Sequence, residues 1–296
     1  MTDRVLEFAE GPALLSVRDR QLVIRREENL DVTTPLDELG VLVITHPRVQ
    51  VTQAVIAEMA NAGGMVVVCD NKYQPAAMML PMQAHFVQTE RYAIQAQLPQ
   101  PVRKRLWQQI VQAKLRAQGR LLKKLHGADG GISAMAARVG SGDPENLEAQ
   151  AARRYWPLIF GDPKFRRGSE GPDQNNHLNY GYMVLRAVCA RAICAAGLHP
   201  SMGLRHHNRY DAFCLASDLM EPFRPLVDRL VVEWIRENDP TQPLDRFSKA
   251  HLLRLVTERY LHQNEERSLF DWVAGAANAM CRVMMGDAKK LELPEL

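Results

Sequence analysis

Three short segments of this 296-residue chain carry residue types that could share one chemistry: Glu148 in ENLEAQAARRYW, His206 in GLHPSMGLRHHN, and Glu221 in DAFCLASDLMEPFRP. Two carboxylates and one imidazole are a donor set for a hard divalent cation, and the Arg, Lys and aromatic residues around them suit a nucleic-acid phosphate. A DNA enzyme is the reading this chemistry favours. The spacing is a carboxylate, about 60 residues, a histidine, about 15 residues and a second carboxylate, which is no local motif and does not by itself prove a shared site.

The surrounding sequence indicates how each residue would be held. Asp143-Pro144-Glu145 reads as a helix start, with an Asp cap, a proline in the first turn where its missing N–H costs nothing, and an acid favoured by the dipole. Glu148 would then sit within the first two turns, sharing a stripe with Ala152, Tyr155 and Trp156. The plain alternative is an exposed helix-start glutamate. His206 follows an apolar helix running from Tyr180 to Ala196 that ends at Gly197, with Pro200 beyond. In an extended segment His206 and His207 point opposite ways, so only one can face a given site. Arg205, Asn208 and Arg209 around it favour phosphate contact over an ordinary surface histidine.

Asp211 can cap a helix over 212–220, after which Pro222 and Pro225 interrupt the ladder and start a second helix to about 237. Glu221 sits at this break, where a side chain leaves the regular helical stripe. Asp218, three residues earlier, shares its face and could support the ligands instead of being one. Arg224 is within a turn and could simply neutralise the acids.

Stepwise along the chain, residues 4 to 70 read as short strands: 5–8, 13–17, 21–25, LGVLVITH and GGMVVVCD, bounded by Gly, Pro and Asp. One helix begins at Thr52, with Gly63 as its C-cap. From Gln83 onward Ala, Leu, Gln, Arg and Met recur with helical periodicity. The expectation is an α+β protein: a small β-rich amino-terminal domain with one helix (1–75), a linker (76–82) marked by Pro75 and Pro81, and a larger all-α domain (83–296) carrying the site. A hydrophobic content of 46% is enough for real cores. The five cysteines show no CxxC spacing, and no apolar run approaches the roughly 20 residues of a membrane span, so a reducing cytoplasm is expected.

The net charge of +3 is unevenly spread. Arg103 to Lys124 holds eight Lys or Arg and no acid, and residues 146–210 hold nine against four acids. Arg166, Arg167, Arg205, Arg209 and Arg224 are the candidates for phosphate contacts, with Lys104 and Arg105 as weaker ones.

NYGY, GLHP, H-x-N and EPFRP follow one another between 179 and 225, and FGDPKFRRG precedes them. With these motifs at this spacing the chain resembles the CRISPR-associated spacer-acquisition endonuclease and integrase family, in the form found with single large effector nucleases. The resemblance covers essentially the whole chain and is densest from 145 to 230. It implies a dimerising β-rich domain, an α-helical domain with one metal site, and Mg²⁺ or Mn²⁺ as the ion. By motif position the ligands fall on Glu148 of E-x-x-A-A-x-x-Y, on His206 and not His207, and on Glu221, with Asp218 an uncertain extra and Asn208 a candidate supporting group. The implied reaction is transesterification, in which a 3′-hydroxyl of a short DNA attacks a phosphodiester at the edge of a repeat. The implied partners are DNA, a second copy of the chain and a small companion subunit bridging two dimers, with no membrane. An inactive DNA-binding scaffold and another metal-dependent phosphohydrolase are the competing classes, although HD and DxD ligand clusters are missing from this sequence.

Overall fold

The amino-terminal Val- and Leu-rich runs form strands, as β-branched residues on a half-buried pleated surface should. In the computed structural model, which describes residues 4–27, 30–70, 75–79, 81, 85–168 and 173–296, these are β1 (Arg4–Phe8), β2 (Ala13–Arg18), β3 (Gln21–Arg25), β4 (Val32–Pro35), β5 (Leu39–Ile44) and β6 (Val49–Val51). Then come α1 (Gln53–Asn61), β7 (Met65–Cys69) and β8 (Pro75–Met79). They build two four-stranded sheets, ordered β1-β5-β7-β8 and β4-β3-β2-β6. The first is parallel except for β8, and the second is an antiparallel meander edged by the parallel β6.

Strand β5 is buried along its whole length because its two faces serve two cores. Leu42 and Ile44 point into a small core with Leu15, Leu22, Val55 and Met59, between the sheets and α1. Val41 and Val43, with Met65 and Val67 of β7, point the other way into the large helical core. The two-residue period of a strand makes this division automatic.

Two sequence expectations need correction here. Residues 76–79 of the expected linker belong to β8, which pairs with β7, so the sheet extends to Met79; residues 80 and 82–84 of the expected linker and of the following domain start lie outside the described residues. The pair of prolines suggested a break, but Pro75 opens an edge strand, where a missing N–H is tolerated.

The remainder comprises α2 (Gln88–Ala96), α3 (Gln100–His126), α4 (Ile132–Arg138), α5 (Leu147–Phe160), α6 (Gln174–Ala195), α7 (Cys214–Leu219), α8 (Arg224–Ile235), α9 (Arg246–Leu252), α10 (Arg254–Thr257) and α11 (Leu269–Met285). It is not helical throughout: β9 (Arg259–His262) and β10 (Glu265–Ser268) form an antiparallel hairpin before α11. Its two turn residues, Gln263 and Asn264, both take positive φ, the conformation of a tight two-residue hairpin turn. No Gly and no Val or Ile run advertises this hairpin.

Helix α6 is the axis of the helical half, buried on nearly every face. It begins six residues before the expected Tyr180 because the Asp173 carboxylate accepts the Asn175 N–H at 2.9 Å and caps it. At Gly181 an added Cβ would lie 2.4 Å from Val227, so only glycine lets α6 and α8 approach this closely.

Candidate metal centre

Glu148 enters the site from the start of α5. That helix begins at Leu147, not at Pro144, since Asp143 and Asn146 both take left-handed φ near +52°. Asp143 is still the cap, at longer range: its carboxylate accepts the N–H groups of Leu147 at 2.9 Å and Glu148 at 3.0 Å. The backbone of Glu148 is therefore clamped while its half-buried carboxylate faces α3.

His206 lies in the loop between α6 and α7, where Gln95 holds the backbone at His199 and Met202 and one carboxylate gathers the stretch from Leu204 to His206. Asp218, fully buried on α7, accepts the N–H groups of Leu204 at 2.6 Å, Arg205 at 3.2 Å and His206 at 3.3 Å. The same group meets His206 Nδ1 at 2.6 Å. Gly203 makes this wrap possible, since a Cβ there would lie 2.5 Å from the His206 carbonyl and 3.0 Å from Asp218. Trp107 of α3 stacks edge-on against the imidazole at 5.9 Å. With Nδ1 committed to Asp218, Nε2 is the nitrogen left to ligate.

Glu221 is placed by the break expected from Pro222. α7 ends at Leu219, residues Glu221–Phe223 form a 3₁₀ turn, and α8 starts at Arg224. Arg224 Nε donates to Glu221 Oε1 at 2.9 Å, and its guanidinium lies 4.5 Å over the Tyr182 ring.

Between the two glutamates stands Lys114 of α3. Its Nζ is 2.6 Å from Glu148 Oε1 and 2.6 Å from Glu221 Oε2. Although it touches the ammonium, Glu221 Oε2 is buried without a properly aligned hydrogen bond. Among the described residues no three His, Cys, Asp or Glu side chains close into a ready cage, because this cation separates the carboxylates. An under-coordinated buried carboxylate oxygen, a second carboxylate across the same ammonium and a pre-oriented imidazole fit one hard divalent ion.

The local charges are strongly biased. Burial works against the Glu221 anion, but Arg224 and Lys114 outweigh it and bring its carboxyl down to about 2. Burial likewise opposes the Lys114 cation, and the two glutamates override it, raising its pKa. His206 is raised above its ordinary value by its bond to Asp218, against the effect of burial. Behind the site, burial pushes Asp228 up to about 6, opposed by hydrogen bonds from Tyr182 and Tyr155.

The arginine candidates divide into two groups. Arg166, Arg205 and Arg209 are exposed, and Arg209 lies 5.6 Å over the ring of exposed Tyr210. Lys104 and Arg105 are exposed on α3. Arg167 instead turns inward, to Asn175 at 2.9 Å, Asn179 at 2.7 Å and the face of Tyr182 at 5.3 Å. Arg224 is the partner of Glu221. His207 and Asn208 are exposed; Asn208 Oδ1 accepts the Tyr210 N–H at 2.9 Å and so shapes the loop, not the donor set.

Sequence reasoning missed Lys114, reading it as one of eight basic residues. A signal was present: Lys114 falls on the stripe of α3 that buries Trp107, Ile110, Val111 and Gln118, and an ammonium on an apolar stripe needs anionic partners. Asp143 was read as a cap, but its hold on Glu148 was not foreseen.

The family described as "CRISPR associated protein Cas1" matches residues 8–253. A CRISPR-associated endonuclease Cas1 from Neisseria meningitidis serogroup C is 32% identical, covering 100% of this chain and 97% of its own length. The chain belongs to the Cas1 family. It is accordingly a CRISPR-associated endonuclease, with the Cas1 arrangement of a β-rich amino-terminal region followed by a helical one. The Cas1-type fold is shared with a casposase bound to an integration product, at TM-score 0.79 and 18% identity over 99% of this chain and 93% of that one. It is also shared with a Cas6-RT-Cas1–Cas2 complex, at TM-score 0.76 and 17% identity over 97% of this chain and 35% of that one. No helix among the described residues is long and apolar enough to cross a membrane.

Proposed function

We propose that Glu148, His206 and Glu221 hold one Mg²⁺ or Mn²⁺ and that the chain inserts short foreign DNA into a CRISPR repeat array. The observation that carries this reading is the placing of Glu148 and Glu221 on either side of a single cation, Lys114 Nζ, each at 2.6 Å. Two carboxylates with one imidazole prefer these ions over zinc.

When bound, the ion supplies charge stabilisation at a phosphate oxygen. The chain's own groups do the positioning. Asp218 holds His206 in one orientation with Nε2 open, and Arg224 holds one oxygen of Glu221 so that the other faces the site. Arg166, Arg205 and Arg209, all exposed, contact backbone phosphates, with Lys104 and Arg105 extending the basic surface. In the reaction the 3′-hydroxyl oxygen of the incoming DNA bonds to phosphorus, the bond from phosphorus to the 3′-oxygen of the flanking strand breaks, and the proton that the attacking hydroxyl gives up is balanced by the one that the released 3′-oxygen takes. One phosphodiester replaces another, so positioning and charge stabilisation suffice.

The β-rich unit serves dimerisation, and a small companion subunit joins two dimers in the cytoplasm; the form with a single large effector nuclease is the one its NYGY-to-EPFRP stretch resembles. The Cas1–Cas2 assembly and the casposase with its integration product, which share the fold, support a DNA-joining complex. The test is purified protein with a labelled branched DNA that mimics a half-integrated product, in Mg²⁺, Mn²⁺ or EDTA. Resolution into a joined and a released strand, dependent on metal and lost in His206→Ala, is expected. DNA binding without strand transfer in either metal, with the companion subunit added, would refute the reading.

A further inference from the structure

The cation in this site is part of the protein, and its position is unusual for a structural lysine. Lys114 is itself 9% exposed and rises from the middle of α3, the longest helix, with Ile110, Val111 and Leu115 buried around it. Its ammonium sits between two carboxylates that belong to different elements, α5 and the 3₁₀ turn before α8. Arg224 already neutralises Glu221 from the other side. Counting Glu148, Glu221 and Asp218 against Lys114 and Arg224, the cluster carries three negative and two positive charges. The sum is one negative charge while Lys114 lies inside, too little to hold a divalent ion there as well. Withdrawal of the ammonium leaves two negative charges, which match such an ion.

We propose that Lys114 is a positioning residue that occupies the divalent ion's seat, keeps Glu148 and Glu221 turned toward one point, and must be displaced for the ion to bind. The proposal rests on the assignment of Glu148 and Glu221 as ligands. Two arguments support a displaceable occupant over a fixed ion pair. Glu221 Oε2 meets the ammonium at 2.6 Å and has no other hydrogen-bond partner among the described residues, so a cation in the ammonium's place breaks nothing else at that oxygen. Lysine is a point charge on a flexible four-carbon stem, unlike the planar fork of arginine, and can swing away without moving the helix. Without any occupant, two carboxylates this close would repel one another and splay apart.

The test measures Mn²⁺ binding by electron paramagnetic resonance and by thermal shift, without DNA, for wild type, Lys114→Met, Lys114→Gln and His206→Ala. Both Lys114 variants should bind Mn²⁺ about tenfold or more tightly than wild type, since a competing charge at contact distance is removed. They should also melt lower than wild type in EDTA and gain more than wild type when Mn²⁺ is added. Equal or weaker Mn²⁺ affinity in both variants would show Lys114 to be a fixed support for the ligands and overturn the proposal. If the variants fail to fold, crystals of wild type with and without Mn²⁺ decide the matter. Movement of Nζ off Glu221 in the Mn²⁺ form is expected, and Nζ in contact with both glutamates beside a bound ion would refute it. Mn²⁺ bound by wild type but unaffected by His206→Ala would count against the ligand assignment itself, and no Mn²⁺ binding by any of the proteins would overturn assignment and proposal together.

Discussion

His206 and Asp218 form one unit: the carboxylate that meets the imidazole Nδ1 at 2.6 Å also accepts the histidine's own backbone N–H at 3.3 Å. Asp218 is thus a residue that orients the proposed ligand, and one buried carboxylate meets both the backbone and the imidazole of His206.

Replacing Asp218 by Asn should therefore affect more than chemistry. The amide keeps one acceptor oxygen but cannot satisfy three N–H groups and the imidazole together. Loss of a partner that orients a metal-bound histidine typically costs about 10–100-fold in metal affinity, and calorimetric titration with Mn²⁺ would measure it. An accompanying fall in melting temperature is expected because the amide NH2 must then face N–H donors that the second carboxylate oxygen now accepts.

His206→Ala and Glu221→Gln should each lower strand transfer by about 100-fold or more, the order of loss when a preorganised electrostatic group is removed. Filter binding to duplex DNA should change little, since neither residue supplies the basic surface. His207→Ala should retain most activity because His207 is exposed. Equal losses in the two histidine variants would reverse the choice of ligand.

The raised pKa of His206 sets a pH dependence for metal binding. A ligating imidazole must be neutral, so protons and metal compete for Nε2. With the folded-state pKa above the ordinary 6.5, Mn²⁺ affinity should keep rising with pH beyond the point where an ordinary histidine is already neutral. In His206→Ala that component of the profile should vanish, as read from affinities measured across the neutral range.

Asp228 makes stability pH-dependent in the opposite sense to most carboxylates. Its folded-state pKa, near 6, is above the roughly 3.9 of an unfolded Asp. Between those values the folded chain keeps the proton that the unfolded chain releases, so stability from this group is full below about pH 4 and is lost as pH rises through 6. Asp228→Asn removes the titration. Chemical denaturation at pH 4, 5 and 6 should show the wild-type advantage over the variant shrinking as pH rises.

Salt dependence separates the two classes of arginine. Arg205→Ala and Arg209→Ala remove exposed charges, and each should reduce the log–log salt slope of DNA binding by about 0.9. Arg167→Ala removes internal bonds to Asn175 and Asn179 and should lower the melting temperature while leaving that slope nearly unchanged. A slope change equal to that of Arg205 would place Arg167 on the DNA surface after all.

The sequence by itself determined the order of elements wherever one physical signal dominated. Apolar runs bounded by Gly and Asp became β5 and β7, the break at Pro222 became the turn that aims Glu221, and helical periodicity marked most of the second half. It also supplied the candidate ligands, through motif resemblance more than through spacing. The hairpin at 259–268 escaped because its strands are short and polar, and the linker prolines misled because an edge strand accepts what a central strand refuses.

Tertiary structure alone decided which of these groups meet. No local rule brings Lys114 of α3 between Glu148 and Glu221, which are 34 and 107 positions away in the chain; long-range packing of α3 against α5 and the 3₁₀ turn does so. The division of the arginines into surface and interior was equally a matter of packing, since a guanidinium reads alike in sequence whether it faces water or Tyr182. Local propensity depends on neighbours a few residues away, whereas the charge balance of a site depends on groups that only the folded core places within a few ångströms.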